Sequence, residues 1–280
     1  MNRPADLTTR VLGHSTRYWQ VGSQGSPLVL IHGISCSVLE WEHVIHDLAQ
    51  KHRVFALDLL GHGLTAKPAD FPYDLASLAH FVLAFMDSVG LPSASLCGNS
   101  LGARLALECA AIAPHRVTAL VLSAPAAVEK TTLFEFRVAS VPWLGEIATK
   151  PNTFGTGKIW RSAFANPAFA TPQMVAEKVA LAKLPGAGPA FLKALRYLLG
   201  FGGFKPAVLA DTHAKMRQVS APTLVMWGRQ DRFLPLAHLA TFQQHMPQAQ
   251  SVVLENCGHA PMIEQVGKFT QLTLDFLAKK

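Results

Sequence analysis

Cysteine is scarce in this chain of 280 residues, and the four present (Cys36, Cys97, Cys109, Cys257) show no metal-ligand spacing. Their neighbours are mostly apolar, so buried thiols in a reducing compartment are expected and neither a redox nor a metal role is. Charge is thin as well: 15% of residues are charged against 50% hydrophobic, which excludes disorder. No uncharged apolar stretch reaches the roughly 18 residues of a membrane span. Met1 to Arg10 is polar and lacks the apolar core of a signal peptide, so a cytoplasmic chain is expected. There is no internal repeat and no low-complexity linker. The net charge of +7 comes from scattered bases (Arg10, Lys51, Arg53, Lys158, Arg161, Lys205, Lys215) with no run resembling a nucleic-acid arm. That charge reads as a solvated basic surface, and no nucleic-acid partner is expected.

What the chain does contain is an alternation of short apolar strands with helical patterns. Val11 to Gly22 reads as a hairpin broken at Gly13-His14. Pro27–Ile31, Arg53–Leu57, Ala94–Cys97, Val117–Leu122, Thr223–Trp227 and Ser251–Leu254 read as buried strands. Helices are predicted over Leu39–Gln50, Leu75–Val89, Ala103–Ala113, Ala237–His245 and Met262–Ala278. Continuous apolar strands between helices argue for a parallel sheet covered on both faces. The alternation stops between about Ala126 and Gln218. There the pattern gives short helices, Phe134–Val141, Lys158–Phe164, Pro172–Leu184 and Ala190–Leu199, whose apolar faces suit a helical cap over one end of the sheet. The predicted organisation is a core from 1–125 and 219–280 with a cap inserted at 126–218.

The pentapeptide Gly98-Asn99-Ser100-Leu101-Gly102 lies between a strand and a helix. Glycines two residues either side of a serine are the nucleophile-elbow arrangement: strand and helix approach closely and the hydroxyl is lifted clear of the backbone. A serine hydroxyl needs a base, usually histidine, and the histidine needs a carboxylate to fix its tautomer. His259, in the turn Gly258-His259-Ala260-Pro261, follows the last strand. Asp231 follows another strand at Trp227-Gly228-Arg229-Gln230. Asp58, also at a strand end, is read as holding the turn Gly61-His62-Gly63.

The motifs His32-Gly33, Asp58-x-x-Gly61-His62-Gly63, Gly98-x-Ser100-x-Gly102, Gly228-x-x-Asp231 and Gly258-His259 stand in the order found in the α/β-hydrolase fold superfamily, which the chain resembles across nearly its whole length. The resemblance implies a mostly parallel eight-stranded sheet flanked by helices, with an inserted helical cap. It implies a catalytic triad of Ser100, Asp231 and His259 and an oxyanion hole from the backbone N–H groups of Ile34 and Leu101. His32 would brace the oxyanion loop. Neither a metal nor an organic cofactor is implied.

The reaction is open between classes. Gly-Asn-Ser resembles the carbon–carbon hydrolases that act on ring-fission products of aromatic compounds, but Ala103, Ala260 and the loop Gly33-Ile34-Ser35-Cys36-Ser37 depart from them. Gly258-His259-Ala260-Pro261 looks more like carboxylesterases and lactonases. A carboxylic-ester hydrolase therefore stands first, a carbon–carbon hydrolase second and a non-catalytic ligand receptor third. Ser100 stands where haloalkane dehalogenases and epoxide hydrolases carry aspartate. Trp143, Trp160 and Phe164 are expected to contact a small-molecule substrate; Arg137, Arg161 and Arg196 read as surface residues, with a bidentate contact to a substrate carboxylate as the alternative. A monomer or homodimer is expected.

Overall fold

Runs such as Leu28-Val29-Leu30-Ile31 fold as strands buried on both faces, because helices cover the sheet from either side. The computed structural model describes residues 3–279. Its strands are β1 Leu7–Val11, β2 His14–Val21, β3 Pro27–Ile31, β4 Arg53–Leu57, β5 Ala94–Asn99, β6 Val117–Ser123, the two-residue β7 Leu199–Gly200 and β8 Gly203–Phe204, β9 Thr223–Gly228 and β10 Gln250–Leu254. Its helices are α1 Ile45–Leu48, α2 Leu75–Ser88, α3 Leu101–Ile112, α4 Phe134–Ala139, α5 Leu144–Ala148, α6 Thr153–Ala163, α7 Pro172–Ala182, α8 Ala187–Leu198, α9 Pro206–Gln218, α10 His238–His245, α11 Pro261–Glu264 and α12 Val266–Leu277. The eight-stranded sheet has the order β1-β2-β4-β3-β5-β6-β9-β10. Within that sheet, among the described residues, the β1·β2 and β2·β4 pairs are antiparallel and the rest parallel; β7 and β8 form a separate antiparallel pair. This is the mostly parallel α/β sheet that the sequence pattern predicts.

Local chemistry sets the helix ends. Asp74 Oδ1 accepts the Ser77 N–H at 2.7 Å and starts α2, whose Leu78, Phe81, Val82 and Phe85 point inward at helical spacing. Small residues let α3 lie close to the sheet. Arg104 on α3 is nevertheless fully buried, donating to Glu108, Asp211 and Thr212. These bonds tie α3 to α9, which returns the chain to the start of β9.

Three segments differ from the sequence pattern. The hairpin turns at Leu12-Gly13, both at positive φ, and its first strand starts at Leu7; that edge strand is polar and so carries no apolar signal. Leu39–Gln50 is not one helix but a 3₁₀ turn, Val38–Trp41, followed by α1. The Asp58 carboxylate takes the Val38 N–H and Glu40 turns inward to Gly33, so the chain is held out of a continuous helix. Met262–Ala278 is broken at Gln265, where Glu264 is drawn to Gly258 and Gln265 to the Asn256 carbonyl. Between β6 and β9, α5 and α9 add to the helices expected there.

Sheet register aligns the strand ends that matter. Ile31 pairs with Gly98, Asn99 with Ser123, Ser123 with Met226, and Gly228 with Leu254. The residues that follow β3, β5, β9 and β10 therefore share one edge of the sheet, beyond the carboxyl ends of the strands.

Candidate active site

Ser100 has φ 55° and ψ −115°, a sparsely populated state for a residue with a side chain, costing about 1–3 kcal/mol. The surrounding backbone enforces it. The Ser100 N–H donates to the Ser123 carbonyl at 2.9 Å, and its own carbonyl accepts from Arg104 and Ala126. A Cβ on Gly98 would lie 2.4 Å from Gly102, and one on Gly102 would lie 1.9 Å from the Ile31 carbonyl oxygen. Glycine is therefore required at both positions for β3, β5 and α3 to approach as they do. The Ser100 hydroxyl makes no capping bond to α3.

Behind it, His259 donates from Nδ1 to Asp231 Oδ2 at 2.7 Å, with both side chains buried. Asp231 Oδ1 accepts the Phe233 and Leu234 N–H groups at 2.8 and 2.9 Å. A carboxylate can only accept, so Nδ1 carries the proton and Nε2 is left as the acceptor. Burial works against charging the imidazole, but Asp231, Glu40 and Glu264 outweigh it and raise its pKa above the ordinary histidine value. The Phe233 ring lies 4.9 Å from the imidazole.

His32 is buried between two backbone groups. Leu59 N–H donates to Nε2 at 3.0 Å, so Nδ1–H donates to the Gly33 carbonyl at 2.7 Å. Burial lowers its pKa to about 3, which fits a neutral structural ring bracing the loop after β3. Asp58 holds the Val38 and Leu64 N–H groups and Arg17, and so secures the turn after β4.

Ile34, Ser100 and His259 line one cavity of about 500 Å³, shared between the sheet edge and the helices of 134–191. A smaller recess beside it is lined by Ile34, Ser100 and Leu101. Of the expected substrate contacts, Trp160 lines the cavity. Trp143 does not: a φ of 69° turns it outward at the start of α5, where its ring is exposed. Phe164 is fully buried beside Trp160 and Phe169 and packs the wall rather than facing the cavity. Arg137, Arg161 and Arg196 also lie outside the lining: Arg137 stacks on Phe134 and Phe201, and Arg196 pairs with Glu146. The cations that do line it are Lys67, Lys150, Lys158 and Lys178. The Lys178 ammonium sits 3.4 Å from the centre of the Trp160 ring.

Three further side chains carry no motif and are visible only in the structure. Glu40 is buried at the cavity wall, where Oε2 accepts the Gly33 N–H at 2.9 Å and Oε1 accepts Asn99 Nδ2 at 3.1 Å. It joins the loop after β3 to the elbow residue next to Ser100. Glu264 accepts the Gly258 and Ala165 N–H groups, both at 2.7 Å, and the His259 N–H donates to the Ala163 carbonyl at 2.7 Å. Phe233 shares the cavity wall with His259. A lone Glu beside Trp41, or one after Pro261-Met262-Ile263, gives no periodic signal; its burial is the signal. Among the described residues no group of three His, Cys, Asp or Glu side chains converges as a metal site would require.

A family profile described as alpha/beta hydrolase fold matches residues 26–266. The dihydrolipoyllysine-residue acetyltransferase component of the acetoin cleaving system from Pseudomonas putida is 31% identical over 282 residues, covering 99% of this chain and 70% of that protein. The 2-hydroxymuconate semialdehyde hydrolase of Pseudomonas sp. CF600 is 30% identical over 273 residues, covering 91% and 88%. A meta-cleavage product hydrolase from Pseudomonas fluorescens IP01 shares the fold, with TM-score 0.83 at 23% identity over 98% of this chain and 97% of its own.

Proposed function

We propose that this chain, which belongs to the alpha/beta hydrolase fold family, is a serine hydrolase acting on an apolar substrate that carries a carboxylate. Ser100 Oγ adds to the substrate carbonyl carbon while His259 Nε2 takes its proton and Asp231 holds Nδ1–H. The N–H groups of Ile34 and Leu101 receive the oxyanion. The leaving group departs with the proton from His259, and the same histidine then activates water to release the acyl group from Ser100. The observation that carries this reading is the 2.7 Å bond between His259 and Asp231, with the ring and the strained Ser100 on one cavity.

The bond cleaved is, in our reading, a carbon–carbon bond next to a ketone. Two findings support it: the 30% identity to a semialdehyde hydrolase over most of both chains, and Lys178 in the cavity lining, where it suits a substrate carboxylate. A carbon leaving group must delocalise its electron pair, which a keto-acid tautomer of the substrate provides. Ester hydrolysis is the second reading; it rests on Gly258-His259-Ala260-Pro261, where small Ala260 follows the base. The test compares a ring-fission dienoate with p-nitrophenyl butyrate on wild type and Ser100→Ala. Loss of dienoate absorbance in wild type alone supports the first reading, and ester turnover alone moves the assignment to the second. Undiminished turnover by Ser100→Ala overturns both.

A further inference from the structure

Large exposed apolar side chains concentrate in one part of this molecule, with Leu7, Leu12 and Leu64 the ones elsewhere among the described residues. Among the described residues, six are more than half exposed between β6 and β9: Phe134, Trp143, Leu144, Ile147, Phe154 and Phe201. Trp143 is 84% exposed, Phe154 80% and Ile147 67%. Trp143, the N-cap of α5, lies one turn before Ile147, whose N–H points to the Trp143 carbonyl. The Phe134 and Phe201 rings meet edge to face at 6.3 Å. Phe134 and the loop Thr149–Asn152 also line the cavity, so this apolar surface adjoins its rim.

Charge is distributed just as unevenly. Residues 126–218 carry twelve Lys and Arg against five Asp and Glu, whereas the rest of the chain carries thirteen of each. The whole net charge of +7 therefore belongs to the segment that exposes the apolar side chains. Lys150 and Lys158 stand at the cavity rim among them, and Arg137 lies over the Phe134 and Phe201 rings; the acids on these helices are neutralised, Glu135 by Lys158 and Glu146 by Arg196. Protruding aromatic and aliphatic side chains set among basic groups are the pattern of a face that lies in a membrane interface.

We propose that the outer face of α4 to α6 docks on an anionic lipid surface, with Trp143, Ile147 and Phe154 entering the headgroup layer and the cavity rim facing it. A second copy is the poorer occupant. A two-fold dimer through this face would bring two segments of the same positive charge together, whereas an anionic bilayer complements both the charge and the apolar side chains. The docking is independent of which bond the enzyme cleaves.

Trp143 supplies the reporter. The other four tryptophans, Trp19, Trp41, Trp160 and Trp227, are buried, so a change in exposed tryptophan emission reads Trp143. The experiment is co-sedimentation and emission of the full chain with vesicles of phosphatidylcholine alone and of an equal mixture with phosphatidylglycerol. Wild type is expected to bind the anionic vesicles with a blue shift, to bind neutral ones less, and to weaken in high salt. The triple variant Trp143→Ser, Ile147→Ser, Phe154→Ser is expected to bind about 100-fold more weakly, from the lost apolar burial. Its thermal midpoint should not change, since all three side chains are exposed. Trp143→Phe should keep most of the binding and lose the blue shift. Absence of wild-type binding to anionic vesicles overturns the proposal. So does a wild-type dimer in solution that the triple variant splits, because the face would then be closed by a second copy.

Discussion

Asp231→Asn isolates the tautomer argument. Asp231 Oδ1 accepts two backbone N–H groups, from Phe233 and Leu234, while Oδ2 alone faces His259. An asparagine keeps one oxygen, and the two backbone donors claim it, so its NH₂ group must face His259 Nδ1. Donor then opposes donor. The ring relieves the clash by carrying its proton on Nε2, where it can no longer accept one from Ser100. The expected loss is about 10⁴-fold at neutral pH, about 5 kcal/mol at roughly 1.36 kcal/mol per decade. Because both backbone bonds survive, the thermal midpoint should fall by only about 2–4 °C, the effect of roughly 1 kcal/mol in a domain near this size. Labelling of Ser100 by a fluorophosphonate, followed by intact mass, measures the loss without any choice of substrate. A decrease under about tenfold with an intact fold would refute the assignment of Asp231 and the tautomer reasoning with it.

Glu40→Gln removes a negative charge that helps to raise the His259 pKa, alongside Asp231 and Glu264. A raised pKa keeps the ring protonated to higher pH, so in wild type the acid limb of kcat/KM should lie above 6.5; in the variant it should move to lower pH, and an unmoved limb would refute the charge argument. Gly102→Ala places a methyl carbon 1.9 Å from the Ile31 oxygen. It should cost about 3 kcal/mol or more and lower the thermal midpoint by roughly 6–12 °C; a melt equal to wild type would show that β3 and α3 can separate freely. Lys178→Met should raise KM for carboxylate-bearing substrates about tenfold or more and spare neutral ones. Equal effects on both substrate types would show that Lys178 does not meet a carboxylate.

The strand ends were legible because a strand buried on both faces is a continuous apolar run, and the residue after it is a turn residue. Ile31 before His32-Gly33, Asn99 before Ser100 and Leu254 before the Gly258-His259 turn all read this way. Direction was not legible. Glu40 lies in a turn whose pattern suits a helix, and only the inward path of its carboxylate to Gly33 and Asn99 removes it from that helix. Trp143 has the composition of a pocket residue, yet its positive φ aims it at solvent. Arg137 is held by aromatic rings and Arg196 by Glu146, on the surface as their reading has it, while a lysine on α7 that carries no motif lines the cavity. A one-dimensional pattern records which residues are apolar or charged, but not which way a short helix rolls over the sheet.

The bonds that join His259 to Ala163 and Glu264 to Gly258 and Ala165 act as a splint across the cavity floor. The end of α6 cannot swing away without dragging the imidazole with it, because backbone is bonded to backbone there. At the opposite rim, α4, α5 and the start of α6, no comparable bond reaches the histidine turn among the described residues. The inserted segment thus has an inner end bonded to the His259 turn and an outer end, tied instead to α8 through Arg196, that carries the exposed aromatic side chains. If His259 is the base, residues at the outer end can change without disturbing the bonds that keep its turn in register.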